Sequence, residues 1–247
     1  MRYFITLAYH GAAFNGWQIQ PDAPSVQETL EKACSTILRQ SISITGCGRT
    51  DAGVHARYYV AHFDADGPLP IRFLDGLNGL LPSGIGVYSV REVTPDAHAR
   101  FDAYERSYIY YISLWKDPFR TETAWYYPRL HLLDLQKMQQ TADLLLKYDS
   151  FFPFCKTHSG VDSYVCHLKS ARWIHHPEEH MMEFHITANR FLRGMVRLIV
   201  GACMQVGLGK IALEDVREAM DEQKLLKKSW SVPPQGLFLT GVKYNDE

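Results

Sequence analysis

Twice along this chain the apolar residues shift from a two-residue period to a helical one and back, in the same order. No other feature constrains the fold more. Arg2 to Tyr9 alternates, with Tyr3, Ile5, Leu7 and Tyr9 on one face, which predicts a strand. Ser25 then opens a helix. Glu28, three residues on, completes a capping-box pattern, and Val26, Leu30, Ala33 and Ile37 form the apolar stripe. Strands are predicted at Ile42 to Cys47 and Tyr58 to Phe63, then a helix from Pro70 to about Leu81, stopped by Pro82, and a strand at Ile85 to Val93. The order then recurs. Tyr104 to Leu114 reads as a strand running into an aromatic-rich excursion to about Arg129. Asp134 caps a helix to Lys147 with Leu135, Met138, Ala142 and Leu145 inward. Leu168 to His175 and Met181 to Ala188 read as a hairpin around Pro177. Arg190 to about Val206 is helical, Leu213 to Met220 is a second short helix, and Leu237 to Tyr244 is the last strand. Each run has the β-α-β-β-α-β order of ferredoxin-like units. The expectation is an α+β protein of two such halves, 1–103 and 104–247, with antiparallel sheets joined around a central cleft.

Charge alone does not name a partner. The chain has 26 basic and 27 acidic residues, a net charge of −1, where a dedicated nucleic-acid binder usually carries a basic excess. A balanced body can still hold a local basic cleft, because the field depends on where charges sit. Five cysteines, an odd number with no Cys-x-x-Cys pair, point away from a disulfide framework and from a zinc knuckle. A reduced, cytoplasmic setting is expected. The first sixteen residues are too interrupted for a signal peptide, and no uncharged run reaches membrane-spanning length.

Three segments could carry chemistry. Gly46 to Ala56 reads G-C-G-R-T-D-A-G-V-H-A, setting Arg49, Asp51 and His55 among glycines. Such a loop can present a carboxylate beside a cation. It can equally be a turn in which Asp51 caps backbone amides. Arg190, Arg193 and Arg197 fall at i, i+3 and i+7 of the expected helix, a stripe that faces solvent, a polyanion or a working carboxylate. Tyr108 and Tyr110 share a face of their strand, as core packing or as a platform for a base. The histidines at 175, 176, 180 and 185 match no zinc spacing, and no nucleotide-cofactor or hydrolase motif occurs.

In combination these residues resemble the tRNA pseudouridine synthase A family. Gly48 to Ala56, G-R-T-D-A-G-V-H-A, is similar to that family's nucleophile motif almost letter for letter. Phe14 to Gln18, His98 to Ala103, Arg106-x-Tyr108-x-Tyr110, Phe191 to Arg197, Val200-Gly201 and Gly236-Leu237 match in order along the chain. Departures stand at Ala97, Glu105, Asp149-Ser150-Phe151, Arg193 and Gly194.

The resemblance implies isomerisation of uridine to pseudouridine at positions 38, 39 and 40 in the tRNA anticodon arm, without cofactor or metal, by a homodimer. It implies Asp51 as nucleophile, Arg197 as its ion-pair partner and Tyr108 stacked on the flipped base. Arg49, His55, Arg57, Arg100, Arg190 and Arg193 are then expected to bind the tRNA, with Arg72 also placed to meet phosphates. Whether attack falls on C1′, on C6 or proceeds through a glycal stays open. The rival reading is a non-catalytic RNA-binding module of the same strand order, which would have no use for the Asp51 loop.

Overall fold

The computed structural model describes residues 1–156 and 162–245. Among these are nine strands and five α-helices, so the protein is α+β. The chain divides into two compact units: Met1–Tyr104 together with the chain from Phe238 on, and Glu105–Leu237.

In the first unit β1 (Arg2–Tyr9) lies between β3 (His55–Asp64) and β4 (Ile85–Val93), antiparallel to both. Tyr3, Ile5, Leu7 and Tyr9 are all buried, as their alternation requires. Phe4, on the opposite face, is buried too, because the edge of Tyr244 packs on it. The helix α1 (Val26–Leu38) begins where Ser25 Oγ accepts the Glu28 N–H at 3.2 Å. It buries Val26, Leu30, Ala33 and Cys34. The helix α2 (Phe73–Leu80) starts three residues after Pro70, whose carbonyl accepts the Phe73 N–H instead. Two short partners share the outer edge of β3: β2 (Ile44–Gly46) pairs antiparallel with its C-terminal half, and Phe238-Leu239 pair parallel with His55-Ala56.

The second unit holds β5 (Glu105–Ser113), β6 (Trp125–Tyr126), α3 (Leu135–Leu145), β7 (Leu168–His176), β8 (Met181–Ala188), α4 (Met195–Gly207) and α5 (Leu213–Asp221). The strands β5, β8 and β7 are antiparallel neighbours, and β6 runs parallel to β5. Asp134 caps α3 by accepting the Lys137 N–H at 3.0 Å. Among the residues of α4 only Arg197 is not buried.

Two expectations need correction. The strand pairing is mixed, not purely antiparallel, since β6 pairs parallel with β5 and the last strand, β9 (Leu237–Lys243), pairs parallel with β3. That last strand belongs from Phe238 on to the first unit rather than to a second half running to 247. The aromatic excursion after β5 contains β6. No helix among the described residues is long and apolar enough to cross a membrane.

Candidate active site

Asp51 sits on the turn between β2 and β3, half-exposed, on a loop held from below by a cradle of bare backbone and stacked rings. Trp17 and Tyr59 stack at 4.1 Å, almost wholly buried. Tyr59 Oη donates to the Gly48 carbonyl at 2.5 Å, and Tyr9 Oη and Thr50 Oγ1 share a hydrogen bond of 2.8 Å. Gly46 lies against this pair: a Cβ there would stand 2.0 Å from Tyr59 Oη and 2.6 Å from the Trp17 ring. Gly16, at φ +89°, presses its backbone against the loop, and a Cβ on it would meet the Thr50 carbonyl oxygen at 2.3 Å. The Trp17 N–H reaches that same oxygen at 3.3 Å, and the Gly53 N–H reaches the Phe14 carbonyl. The Val54 N–H closes the turn on the Asp51 carbonyl at 3.1 Å. The carboxylate is thus carried on backbone fixed from three sides, which is what a group acting on one atom of a substrate requires.

His55 is not placed to touch a substrate: none of its surface is exposed. Its Nδ1 accepts the Gly11 N–H at 2.9 Å, and its ring stacks on Phe238 at 4.4 Å. A histidine buried and held in this way supports the loop. Arg49 and Arg57 are exposed, Arg57 over the Phe238 ring at 5.2 Å. Arg100 is exposed beside Phe101, on a turn organised by His98, whose Nδ1 takes the amides of Arg100 and Phe101. Arg72 is exposed and paired with Asp75.

In the second unit Tyr108 is half-buried on β5, with Phe191 edge-on at 5.1 Å. Tyr110, two residues along, is fully buried and donates to the Pro233 carbonyl at 2.8 Å. Burial pushes its hydroxyl well above the usual phenol range, against the pull of the Arg197 charge, so it remains a donor. Arg197 is half-exposed on α4, and its Nε donates to the Val232 carbonyl at 2.7 Å.

The expected arginine stripe is overturned. The helix begins at Met195 with Gly194 as its cap at φ +71°, so Arg190 and Arg193 lie in the preceding loop, both exposed, and only Arg197 is helical. The loop is held by Asn189, whose Oδ1 accepts the amides of His167 and Arg190, and by the Lys156 N–H on the Arg193 carbonyl. Glu105 is buried and compensated by Lys169 Nζ at 2.7 Å.

Asp51, Arg49, Arg57 and Arg100 therefore stand in the first unit, and Tyr108, Arg190, Arg193 and Arg197 in the second. The sequence reading gave no supporting role under Asp51 to Tyr9, Gly16, Trp17, Gly46 and Tyr59, although the first four lay in segments it singled out. Among the described residues no three His, Cys, Asp or Glu side chains are grouped to hold a metal ion. Burial pushes Cys34 and Cys203 up to about 12 and Cys166 up to about 11, which keeps these three as thiols.

A family model described as tRNA pseudouridine synthase matches residues 149–245. Curated relatives named tRNA pseudouridine synthase A align from end to end. One from Bacteroides fragilis is 47% identical over all of this chain and 97% of its own length. One from Porphyromonas gingivalis is 44% identical over 98% of this chain and 97% of its own. One from Listeria welshimeri is 37% identical over 98% and 99%. A solved chain described as CRISPR endoribonuclease Cse3 bound to 19 nt RNA covers 84% of this chain at 12% identity, but its TM-score of 0.20 carries no argument. On the full-length identities, this chain belongs to the tRNA pseudouridine synthase A family.

Proposed function

We propose that this chain isomerises uridine to pseudouridine at positions 38, 39 and 40 in the anticodon arm of tRNA, with Asp51 as nucleophile. The observation that carries the reading is the Asp51 loop: a half-exposed carboxylate in a G-R-T-D-A-G-V-H-A turn, fixed by the Gly16, Trp17 and Tyr59 cradle. In the reaction the C1′–N1 glycosidic bond breaks and a C1′–C5 bond forms. The C5 proton is lost and N1 regains one, so no atom or electron is gained overall and the chemistry asks for no cofactor. A carboxylate is ionised at neutral pH and can form the covalent intermediate that lets the uracil detach and turn.

Arg197 takes the electrostatic role in this reading. Tyr108 serves as a platform for the extruded base, and its ring is already set on edge by Phe191. Extruding a base costs a few kcal/mol and is cheapest near a loop, which favours an anticodon arm over the middle of a helix. The exposed arginines at 49, 57, 100, 190 and 193 are available to phosphates. His55 has a supporting part, because it is buried.

Tritium release from [5-³H]uridine-labelled tRNA tests the reading. Wild type should release tritium with chelator present, Asp51→Asn should fall by at least ~10³-fold, and the product should map to positions 38 to 40. Release by Asp51→Asn at the wild-type rate would remove Asp51 from the mechanism. No release by wild type, with tRNA still bound, would leave an RNA-binding module.

A further inference from the structure

We propose that residues 228–236 form a positioning strap that sets Arg197 against the strand bearing Tyr108, with Gly201, Gln205 and Tyr110 as its anchors. The inference rests on the catalytic roles proposed above for Arg197 and Tyr108.

The strap meets one stripe of α4 at three places. Residues 197, 201 and 205 are spaced by four and lie on one helix face. At the first, Arg197 Nε donates to the Val232 carbonyl at 2.7 Å and the Val232 N–H returns to the Arg197 carbonyl at 3.3 Å. At the second, the Trp230 carbonyl lies directly on Gly201, where a Cβ would stand 1.7 Å from the carbonyl oxygen. At the third, the buried amide of Gln205 donates from Nε2 to the Lys228 carbonyl at 2.5 Å. The repeats match in length. Eight helical residues rise about 12 Å, and four residues of extended chain span about 13 Å. Positions 232, 230 and 228 can therefore meet 197, 201 and 205 without slack.

Beyond Val232 the strap crosses to β5. The Pro233 carbonyl accepts the Tyr110 hydroxyl at 2.8 Å, and Gly236 packs so tightly that a Cβ would stand 2.7 Å from the Tyr111 carbonyl oxygen and 2.8 Å from the Tyr110 ring. One segment thus grips the guanidinium of Arg197 by its Nε and the strand two residues from Tyr108. Val232 is fully buried, and Trp230 is set edge-on to Trp125 at 5.3 Å, which holds the strap in place sideways. Gly201 is therefore needed for the path of the strap rather than for the helix, which would be better served by alanine.

Single-turnover and steady-state kinetics with tRNA test this in Gly201→Ala, and in Gln205→Met, which keeps volume but loses the donor. Both are built in wild-type and Arg197→Lys backgrounds. A misplaced guanidinium should lower kcat roughly ten- to hundredfold in Gly201→Ala, and less in Gln205→Met, with KM within about twofold of wild type. In the Arg197→Lys background, which lacks the Nε the strap holds, the same changes should add no more than about twofold. An unchanged kcat in both variants, or losses that multiply fully in Arg197→Lys, would overturn the proposal. Wild-type kcat in Arg197→Lys alone would overturn the role of Arg197 and the strap with it. That outcome is separate from a failure of Asp51→Asn to lose activity.

Discussion

Gly16 has little freedom beside the Asp51 turn. Its φ of +89° excludes most side chains, and a Cβ would be driven to 2.3 Å from the Thr50 carbonyl, which belongs to backbone and cannot swing away. Gly16→Ala should cost ~1–3 kcal/mol in urea unfolding and lower kcat by displacing the turn that carries Asp51, with tRNA affinity little changed. Stability loss without a fall in kcat would mean the turn does not depend on Gly16. His62 gives a prediction in pH. Burial, then the neighbouring His98, pushes it down to about 4, and its Nδ1 must stay unprotonated to accept the Ala99 N–H at 3.1 Å. Below pH 6.5 the unfolded chain binds a proton that the folded chain refuses, so stability falls with acid from 6.5 toward 4 and is fully present above that window. Urea midpoints from pH 7.5 to 4.5 should fall less steeply in His62→Asn, which keeps an acceptor but does not titrate. Equal slopes would exclude His62 as a source of acid sensitivity. The glycine-rich turn that carries Asp51 was legible because its motif is local in sequence. The Trp17–Tyr59 cradle was not, because it is assembled from segments far apart in the chain. His55 looked available beside Asp51 because nothing local shows that Phe238 will cover it.

The elements show where periodicity stops informing. Phe191, Leu192, Met195 and Val196 keep helical spacing into α4, so spacing alone extends the helix back to Arg190. What ends it at Met195 is tertiary: Asn189 takes two backbone amides, Lys156 takes the Arg193 carbonyl, and Gly194 turns left-handed at φ +71°. Leu192 and Phe191 satisfy their apolar character from the loop, Leu192 in the core and Phe191 against Tyr108. Capped helices fared better, since Ser25 and Asp134 carry their start signal in their own side chains. The exposed loop gives Arg190 and Arg193 reach that a buried helix would deny them. Arg190→Gln and Arg193→Gln should each reduce the slope of log affinity for tRNA against log salt by about 1, with kcat at saturation unchanged. Affinity measured from low to moderate salt decides this, and an unaltered slope would show that neither side chain meets a phosphate.

At the scale of the whole molecule the balance of 26 basic against 27 acidic residues leaves binding of a polyanion to local placement rather than to total charge. The last strand is a second whole-molecule feature. Its pairing with β3 joins the two ends of the chain: Phe238 stacks on His55, Arg57 lies over the same ring, and Tyr244 donates from its hydroxyl to the Ala99 carbonyl at 2.7 Å. Sequence order alone placed this strand with its neighbours in the chain, because a partner so distant leaves no local trace. Contacts of this range are costly to form early in folding, so they should lock the first unit late. Phe238→Ala removes the ring on which His55 and Arg57 rest and should destabilise the protein by ~3–5 kcal/mol in chemical denaturation. Local opening should concentrate where the ring is lost, because subglobal stability follows local packing. Amide exchange should therefore speed up from Ala56 to Ala61 of β3 more than along β8, and kcat should fall with it because β3 leads directly from the Asp51 turn. If β3 and β8 exchange equally fast in the variant, the strand stabilises the protein only globally. If β3 alone opens, the end of the chain is what holds the Asp51 turn in register.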